Sequence, residues 1–253
     1  MHYGSMYALL RFNLRYRVSA QAPVLFFPGT LCDERIFMPL WQQLSIDQRR
    51  FVPLQWASSK EDMLALGEDR ILPDEKVHLV GYSMGGYIAA LIAARNKANI
   101  ASITLMAYDP AGLTTSEISQ RETMVKSIKK GQFKPDNHNY LARFIHPSRL
   151  KDNSVAEVVT SMAMDLGKST LLAHTLATTP RENTLEFLKK INAPITLVGA
   201  TDDNIAKIDS LRFAAKSLPN ASLHEFENTG HMIPLEQTSQ LAAIIDKCIS
   251  VQK

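Results

Sequence analysis

A serine flanked by glycines is the feature of this sequence that most directly suggests chemistry. Residues 81–85 read Gly-Tyr-Ser-Met-Gly and follow directly on the apolar segment 77–80. Between a strand and a helix, a turn of this pattern holds the serine in a strained backbone conformation, with its hydroxyl clear of the sheet. It also places Ser83 at a helix N-terminus, where backbone N–H groups favour developing negative charge. The pattern predicts that Ser83 is a nucleophile; the alternative is a tight turn in which Ser83 only caps the helix.

A serine hydroxyl is a weak nucleophile unless a base lies beside it. Of the seven histidines, His231 lies in a loop between the last predicted strand and the last predicted helix. A loop at the carboxyl end of a strand can bring the imidazole back over Ser83, so we predict His231 as the general base. The others lie near the start, in predicted strands or in a predicted helical insertion: His2, His78, His224, His138, His146 and His174.

The acid that orients this histidine should follow a strand placed between the serine and the histidine in the chain. Residues 202 and 203 are both aspartates, and they follow the apolar segment 195–200. We predict Asp202 as the acid, with Asp203 as its direct competitor. Asp109, after the preceding core strand, is a third candidate. The alternative role for Asp202 is that of a helix N-cap ahead of Ile205.

Acyl transfer to a serine also requires N–H donors for the oxyanion of the tetrahedral intermediate. The turn itself supplies one, the backbone N–H of Met84. The second donor should come from the loop after the first core strand, where residues 28–33 read Pro-Gly-Thr-Leu-Cys-Asp. We predict the N–H of Thr30 as this donor, with the N–H of Leu31 as the alternative.

These residues need a sheet whose strands end at one edge, and the sequence predicts such a sheet. Apolar segments typical of buried strands alternate with segments that have helical periodicity. This alternation predicts parallel strands joined by right-handed crossovers, and therefore an α/β fold with an open, mostly parallel sheet. Residues 7–18 suggest an opening hairpin. The predicted strands are 23–27, 50–56, 76–80, 100–107, 195–200 and 222–226, and the predicted core helices are 35–44, 60–71, 84–95, 205–217 and 235–249.

The alternation stops between residues 110 and 193, where the sequence has helical patterns and no convincing strand. An insertion at this point would lie above the carboxyl edge of the sheet, where ligands bind in open α/β folds. We therefore predict a core formed by residues 1–109 and 194–253, with a helical cap, or lid, formed by residues 110–193. A helical connection without a role in recognition is the alternative, although structureless connections of this length are uncommon.

The first half of this predicted cap is basic. A positive cap could attract an anionic substrate, although such charges more often form a solvated helix face. From residue 110 to 152 the basic side chains are Arg121, Lys126, Lys129, Lys130, Lys134, Arg143, Arg149 and Lys151, against the acids Glu117, Glu122, Asp136 and Asp152. The apolar side chains that could line an acyl pocket, or simply pack against the core, are Phe133, Tyr140, Phe144, Met162 and Met164.

The bulk composition is that of an ordinary globular protein. A chain of 253 residues with 45% hydrophobic residues can form one large core, and a formal charge of +3 provides no general attraction to nucleic acid. Two distant cysteines, Cys32 and Cys248, favour free thiols in a reducing compartment. The start does not read as a signal peptide, and no segment is long and apolar enough to span a bilayer. We predict a cytoplasmic protein that acts on a small molecule, with no nucleic-acid partner, metal or cofactor.

Three motifs together resemble the α/β-hydrolase superfamily, particularly its compact members with a helical cap. They are GYSMGG at residues 81–86, the aspartates in GATDDN and His231 in NTGHMIP, in the order Ser, Asp, His. The resemblance covers residues 7–109 and 194 to the end, and it implies an eight-stranded, mostly parallel sheet and a covalent acyl-enzyme. Many relatives have His-Gly where this chain has Pro28-Gly29. Because backbone N–H groups stabilise the oxyanion, we expect the oxyanion hole to survive this difference.

The predicted function is hydrolysis of carboxylic esters of small to medium size through Ser83, His231 and Asp202. One fold can host several chemistries, so the same catalytic residues could also serve a reaction other than ester hydrolysis. These are thioester hydrolysis, C–C bond cleavage, peracid formation and a lyase step. A non-catalytic protein that holds a ligand in the same pocket is a further alternative.

Overall fold

The computed structural model describes residues 22–250, and these residues form one six-stranded sheet in the order β2-β1-β3-β4-β5-β6. Every neighbouring pair of strands is parallel. The strands are β1 Val24–Phe27, β2 Arg49–Phe51, β3 Val77–Tyr82, β4 Ile100–Met106, β5 Ile195–Ala200 and β6 Ala221–Phe226.

Ten helices accompany these strands within residues 22–250, and none of them is long and apolar enough to cross a membrane. Residues Met84 to Ala93 of α3 are all buried, because small side chains let this helix lie close to the sheet. The helices are α1 Met38–Trp41, α2 Lys60–Glu68, α3 Met84–Arg95, α4 Thr115–Lys129, α5 His138–Leu141, α6 Asn153–Ala177, α7 Leu185–Leu188, α8 Ile208–Ser217, α9 Ile233–Glu236 and α10 Thr238–Ser250.

The central strands are apolar on both faces because helices cover the sheet on both sides. Strands β1, β3, β4 and β5 are buried over their whole length. Successive side chains of β1 enter different hydrophobic clusters, Leu25 and Phe27 on one side and Val24 and Phe26 on the other. The edge strands β2 and β6 are partly exposed.

The predicted α/β class and parallel sheet are confirmed, with two differences in the strands. The resemblance implied eight strands, and six are present between residues 22 and 250; the hairpin predicted for residues 7–18 lies outside the described part. The strand predicted for residues 50–56 ends at Phe51. Pro53 has no N–H to donate to a neighbouring strand, and Leu54–Trp56 form a 3-10 turn.

The order of the strands creates a crevice at the carboxyl ends of β1 and β3. From β1 the chain moves outward to β2 on one side, then crosses to β3 on the other side of β1. At such a switch point the loops leave in opposite directions, and ligands bind in the space between them. The loop of residues 28–33 and the turn at Ser83 lie at the two sides of this crevice.

Residues 110–193, the β4–β5 insertion, form helices α4 to α7, and no strand lies among them. Helix α6 consists of two helical parts that meet at a kink near its middle. The break is at Gly167, whose backbone angles (φ 71°, ψ −179°) are not helical. Val159 and Met162 of α6 belong to the same hydrophobic cluster as Tyr82 of β3. The insertion therefore packs directly against the core beside Ser83.

Candidate active site

Ser83 occupies a strained turn between β3 and α3. Its backbone angles are φ 52° and ψ −115°, in a region disfavoured for residues with a Cβ atom. The neighbouring backbone is so crowded that only glycine fits. A Cβ atom on Gly81 would lie 2.6 Å from the Cα of Gly86, and one on Gly85 would lie 2.1 Å from the carbonyl oxygen of Phe27. The local geometry that the Gly-x-Ser-x-Gly pattern predicts is therefore present.

The imidazole of His231 lies beside this serine. Its Nε2 is 3.0 Å from the Oγ of Ser83, and both residues are buried. The β4–β5 insertion holds the backbone of the histidine loop, since the N–H of His231 donates to the carbonyl of Phe144 at 2.6 Å. A Cβ atom on Gly230 would lie 2.6 Å from that same carbonyl oxygen, so the loop needs glycine there.

Asp203 completes the hydrogen-bonded series. Its Oδ2 lies 2.7 Å from the Nδ1 of His231, and its side chain is fully buried. Its Oδ1 accepts hydrogen bonds from the N–H groups of Ile205, at 2.7 Å, and Ala206, at 3.0 Å. Because both oxygens have fixed donors, the carboxylate and the imidazole hold one orientation.

This arrangement corrects the sequence-based choice of Asp202. The side chain of Asp202 is exposed, and its Oδ2 accepts from the hydroxyl of Thr201 at 2.7 Å. Its backbone N–H donates to Thr229. That contact fixes the loop so that residue 202 faces solvent and residue 203 faces the histidine. Asp109 does not meet His231 either: its Oδ1 accepts from the N–H of Ala111.

Glu236 is a site residue that the sequence analysis missed. It is buried, and its Oε2 accepts from the N–H groups of Gly230, at 3.1 Å, and His146, at 3.0 Å. Its Oε1 accepts from the N–H of Met232 at 3.1 Å. Burial raises the pKa of this carboxyl group. One side chain thus holds the residues on both sides of His231 and ties them to the insertion; no sequence motif marks such a role.

The two predicted oxyanion donors are free to act. Met84 is the first residue of α3, so its N–H has no partner within the helix. Thr30 lines the cavity above Ser83. Between residues 22 and 250, no protein atom accepts a hydrogen bond from the N–H of Thr30 or Met84. The N–H of Leu31, the alternative, already donates to the Nδ1 of His174 at 3.1 Å.

His174, from α6, links the insertion to the predicted oxyanion loop. Because its Nδ1 accepts from Leu31, the proton lies on Nε2, which donates to the carbonyl oxygen of Leu54 at 3.0 Å. The ring is fully buried, and burial lowers its pKa to about 4. The neutral ring therefore fixes Leu31 near neutral pH. This histidine was noted in the sequence only as part of the predicted cap.

Ser83 and His231 open into a cavity of about 460 Å³. Of the apolar residues that the sequence suggested for an acyl pocket, Tyr140, Phe144 and Met162 line it. Phe133 packs against Tyr140 outside this cavity, and Met164 is 58% exposed. The same described residues contain no group of three or more His, Cys, Asp or Glu side chains that could hold a metal ion.

Cys32 also lines this cavity without the features of a reactive thiol. It is buried, and burial, with the charge of Asp33 next, raises its pKa to about 12. A thiol in this state stays protonated near neutral pH, and the thiolate is the nucleophilic form. Cys32 therefore has the environment of an unreactive, buried loop cysteine.

A parallel sheet that bears a strained serine turn after a central strand defines a class of α/β proteins with a nucleophile elbow. The chain belongs to the alpha/beta hydrolase fold family, whose family model matches residues 57–238. The solved structure of a thermophilic esterase from Thermogutta terrifontis superposes with a TM-score of 0.79, at 18% identity, over 92% of this chain and 91% of the esterase chain.

Curated relatives carry different hydrolase names. The mouse (Mus musculus) monoacylglycerol lipase ABHD6 is 23% identical over 180 residues, which cover 66% of this chain and 53% of the lipase. A 2-hydroxy-6-oxononadienedioate/2-hydroxy-6-oxononatrienedioate hydrolase of Pseudomonas putida is 25% identical over 204 residues, which cover 76% of this chain and 70% of that protein. The chain thus spans about half the length of the lipase that it matches.

Proposed function

We propose that this protein is a serine hydrolase that cleaves carboxylic esters of small to medium size, with Ser83, His231 and Asp203 as its catalytic triad. The observation that carries the proposal is the continuous series of contacts from Ser83 Oγ to His231 Nε2, at 3.0 Å, and from His231 Nδ1 to Asp203 Oδ2, at 2.7 Å. The three groups have the types, order and distances that nucleophilic acyl transfer requires.

In the first half of the reaction, His231 takes the proton of Ser83 while Oγ attacks the ester carbonyl. The negative charge that develops on the carbonyl oxygen is stabilised by the backbone N–H groups of Met84 and Thr30. When the tetrahedral intermediate collapses, His231 gives its proton to the leaving alcohol. In the second half, water attacks the acyl-enzyme with His231 again as base, and the acid is released.

Asp203 acts through the histidine. The hydrogen bond from Nδ1–H to its carboxylate fixes the tautomer in which Nε2 is free to accept the proton of Ser83. The carboxylate also stabilises the imidazolium that forms during the attack. Burial of the pair strengthens both effects because water does not compete for the hydrogen bonds.

We also propose that residues 110–193 act as a cap over this site. Arg121 and Met124 of α4, and Met162 and Leu171 of α6, line the cavity into which Ser83 opens. The insertion therefore forms much of the wall that an ester substrate would contact. A cap of this kind excludes water from the oxyanion and decides which acyl groups fit.

The proposal is tested by measuring release of nitrophenol from nitrophenyl esters of several acyl lengths, together with labelling by a fluorescent fluorophosphonate. We expect turnover and labelling of the wild-type protein. Ser83→Ala should abolish both while its circular dichroism spectrum and thermal unfolding stay close to wild type, since Oγ makes no structural contact beyond His231 among the described residues.

The same measurements separate the remaining alternatives. Labelling of Ser83 without turnover of any ester would overturn the esterase assignment and favour a thioester, a C–C bond or a bound ligand as the partner of this site. One relative, from Pseudomonas putida, is named a 2-hydroxy-6-oxononadienedioate/2-hydroxy-6-oxononatrienedioate hydrolase. These two dioates are therefore the first compounds to test beside the esters. A protein that is neither labelled nor active would overturn the serine-hydrolase proposal as a whole.

A further inference from the structure

Two arginine side chains line the same cavity as Ser83 and His231. Arg121 belongs to α4, and Arg181 lies in the segment that joins α6 to α7. Both are half-buried. Withdrawing a guanidinium group from water is costly unless a carboxylate or another anion compensates its charge. The surroundings of these two residues show whether the protein supplies one.

No carboxylate pairs with either guanidinium group. Among the salt bridges of the described residues, none involves Arg121 or Arg181. Their side-chain hydrogen bonds are long and go to neutral hydroxyls: Arg121 to Thr179 at 3.4 Å and Arg181 to Thr178 at 3.4 Å. The Nε of Arg181 is buried and has no hydrogen-bond partner among residues 22–250.

The acids that share this cavity make their hydrogen bonds elsewhere. Burial lowers the pKa of Arg121 and of Arg181, and the charge of Glu117, four residues before Arg121, offsets this only in part. The Oε2 of Glu117 accepts from both the N–H and the hydroxyl of Thr114, where it caps the start of α4. The Oδ1 of Asp109 accepts from the N–H of Ala111. Neither carboxylate forms a hydrogen bond with an arginine of the pair.

Another half-buried arginine shows how this chain neutralises such a group when the role is structural. Arg35 meets Asp33 at 2.6 Å and Asp165 at 2.7 Å. Arg121 and Arg181 have no equivalent partners, and their like charges face each other. Burial, followed by the charge of Arg121, lowers the pKa of Arg181 to about 9, so it still carries a charge near neutral pH.

We propose that Arg121 and Arg181 bind an anionic group of the substrate, a carboxylate or a phosphate, while its ester carbonyl lies at Ser83. This inference rests on the proposed hydrolase function and names the substrate class: esters that carry a negative charge at a distance from the scissile bond. Guanidinium groups bind the oxygens of both anions through paired N–H donors. The bound anion compensates the two like charges and gives the buried Nε of Arg181 an acceptor.

The cationic side chains at the rim of the cavity are not withdrawn from water in the same way. Arg143 and Lys207 also line it, but both are exposed to water. A ring contact does not distinguish Arg143 from the buried pair, since Arg143 lies over Phe144 at 5.8 Å and Arg181 over Tyr87 at 5.6 Å from the ring centroid; the difference is exposure to water. Lys207 also donates to Asn204 at 3.2 Å. Solvent screens these two charges, so the buried pair should account for most of the preference for an anion.

The experiment compares two alkyl fluorophosphonates of equal chain length, one ending in a carboxylate and one in its methyl ester, at several lengths. The measured quantity is the ratio of their rate constants for labelling Ser83. We expect the wild-type protein to favour the charged probe by roughly 10- to 100-fold at the best length, as for hydrogen bonds to charged groups. The ratio should fall to near unity in Arg121→Met and in Arg181→Met.

Two further variants make the result specific. Lys126→Met removes an exposed charge from the same helix outside the cavity and should keep the wild-type ratio. Arg181→Lys keeps the charge but loses the paired donors, and should retain part of the preference. If Arg181→Met does not fold, Arg121→Met and Arg181→Lys still test the site. Nitrophenyl esters ending in a carboxylate, a phosphate or a methyl ester then identify which anion the pair prefers.

The outcomes for the two proposals are distinct. Labelling by neither probe would overturn the hydrolase proposal. Equal labelling by both probes at every length would leave that proposal standing and overturn the anion site. A preference that survives Arg121→Met and Arg181→Lys undiminished would also overturn it, because the charge would then be recognised elsewhere.

Discussion

At the scale of single residues, the choice between two adjacent aspartates gives the sharpest prediction. We expect Asp203→Asn to lower kcat by roughly 10³- to 10⁴-fold, because an amide facing His231 Nδ1 favours the wrong tautomer. Asp202→Asn should stay within a factor of about two of wild type, since that side chain is exposed and, among the described residues, hydrogen-bonds only to Thr201. Steady-state hydrolysis of a nitrophenyl ester measures both. Similar losses in the two variants would contradict the assignment of Asp203.

This pair also shows how far sequence reasoning reaches at a site. Ser83 was identifiable because the glycines around it impose a recognisable turn, and His231 because it lies in the final loop. Neither periodicity nor composition separates Asp202 from Asp203, since both lie in a loop beyond β5 where no regular alternation applies. Glu236 was not identifiable because its partners are backbone N–H groups, which any residue provides.

At the scale of elements, His174 of α6 holds the loop of residues 28–33, which we propose supplies an oxyanion donor. We expect His174→Phe to lower kcat by roughly 10- to 100-fold with a smaller change in KM, because Leu31 loses its acceptor and the N–H of Thr30 loses its alignment. Ester kinetics measure this effect. Leu176→Ala is a matched control on the same helix because Leu176 is 55% exposed.

An unchanged kcat in a folded His174→Phe protein would contradict that role. Lower kcat together with a slower rate of labelling of Ser83 would support it, since labelling by a fluorophosphonate uses the same oxyanion donors. Equal kcat losses in His174→Phe and Leu176→Ala would point instead to general damage of the helix.

Most elements could be predicted because their patterns depend on burial. Residues 84–95 and 195–200 coincide with α3 and β5. The insertion was recognisable as helical, but its contacts were not. Val159 and Met162 have the spacing of any packed helix, and only the folded chain shows that they meet β3 near Ser83. β2 was predicted too long because the effect of Pro53 outweighed the β propensity around it.

At the scale of the whole molecule, two buried histidines predict loss of stability in mild acid. Burial lowers the pKa of His78 and of His174 to about 4, from an ordinary 6.5. Between these pH values the unfolded chain binds more protons than the folded one, so the free energy of unfolding falls as pH falls from about 6.5 to about 4. The loss is on the order of 3 kcal/mol for each histidine and levels off below that range.

Urea unfolding at a series of pH values measures this dependence. His78→Asn should reduce the slope between pH 6.5 and 4 by about half, because the unfolded variant takes up one proton fewer while His174 still contributes. His224→Asn serves as the control, since His224 is only half-buried, on the edge strand β6. A wild-type stability that does not change across this range would refute the prediction.

The carbonyl of Phe144 limits how the insertion of this protein can be exchanged for that of a relative. It accepts the N–H of His231, while Glu236 reaches from the core to the N–H of His146. The segment around residues 144–146 therefore holds His231, the proposed base, and through Phe144 it also forms part of the cavity wall. Grafting a foreign insertion in place of residues 110–193, in order to import another specificity, would remove the anchor of the imidazole along with the old pocket. Chimeras that retain this short segment should keep turnover, whereas exchanges across it should lose it.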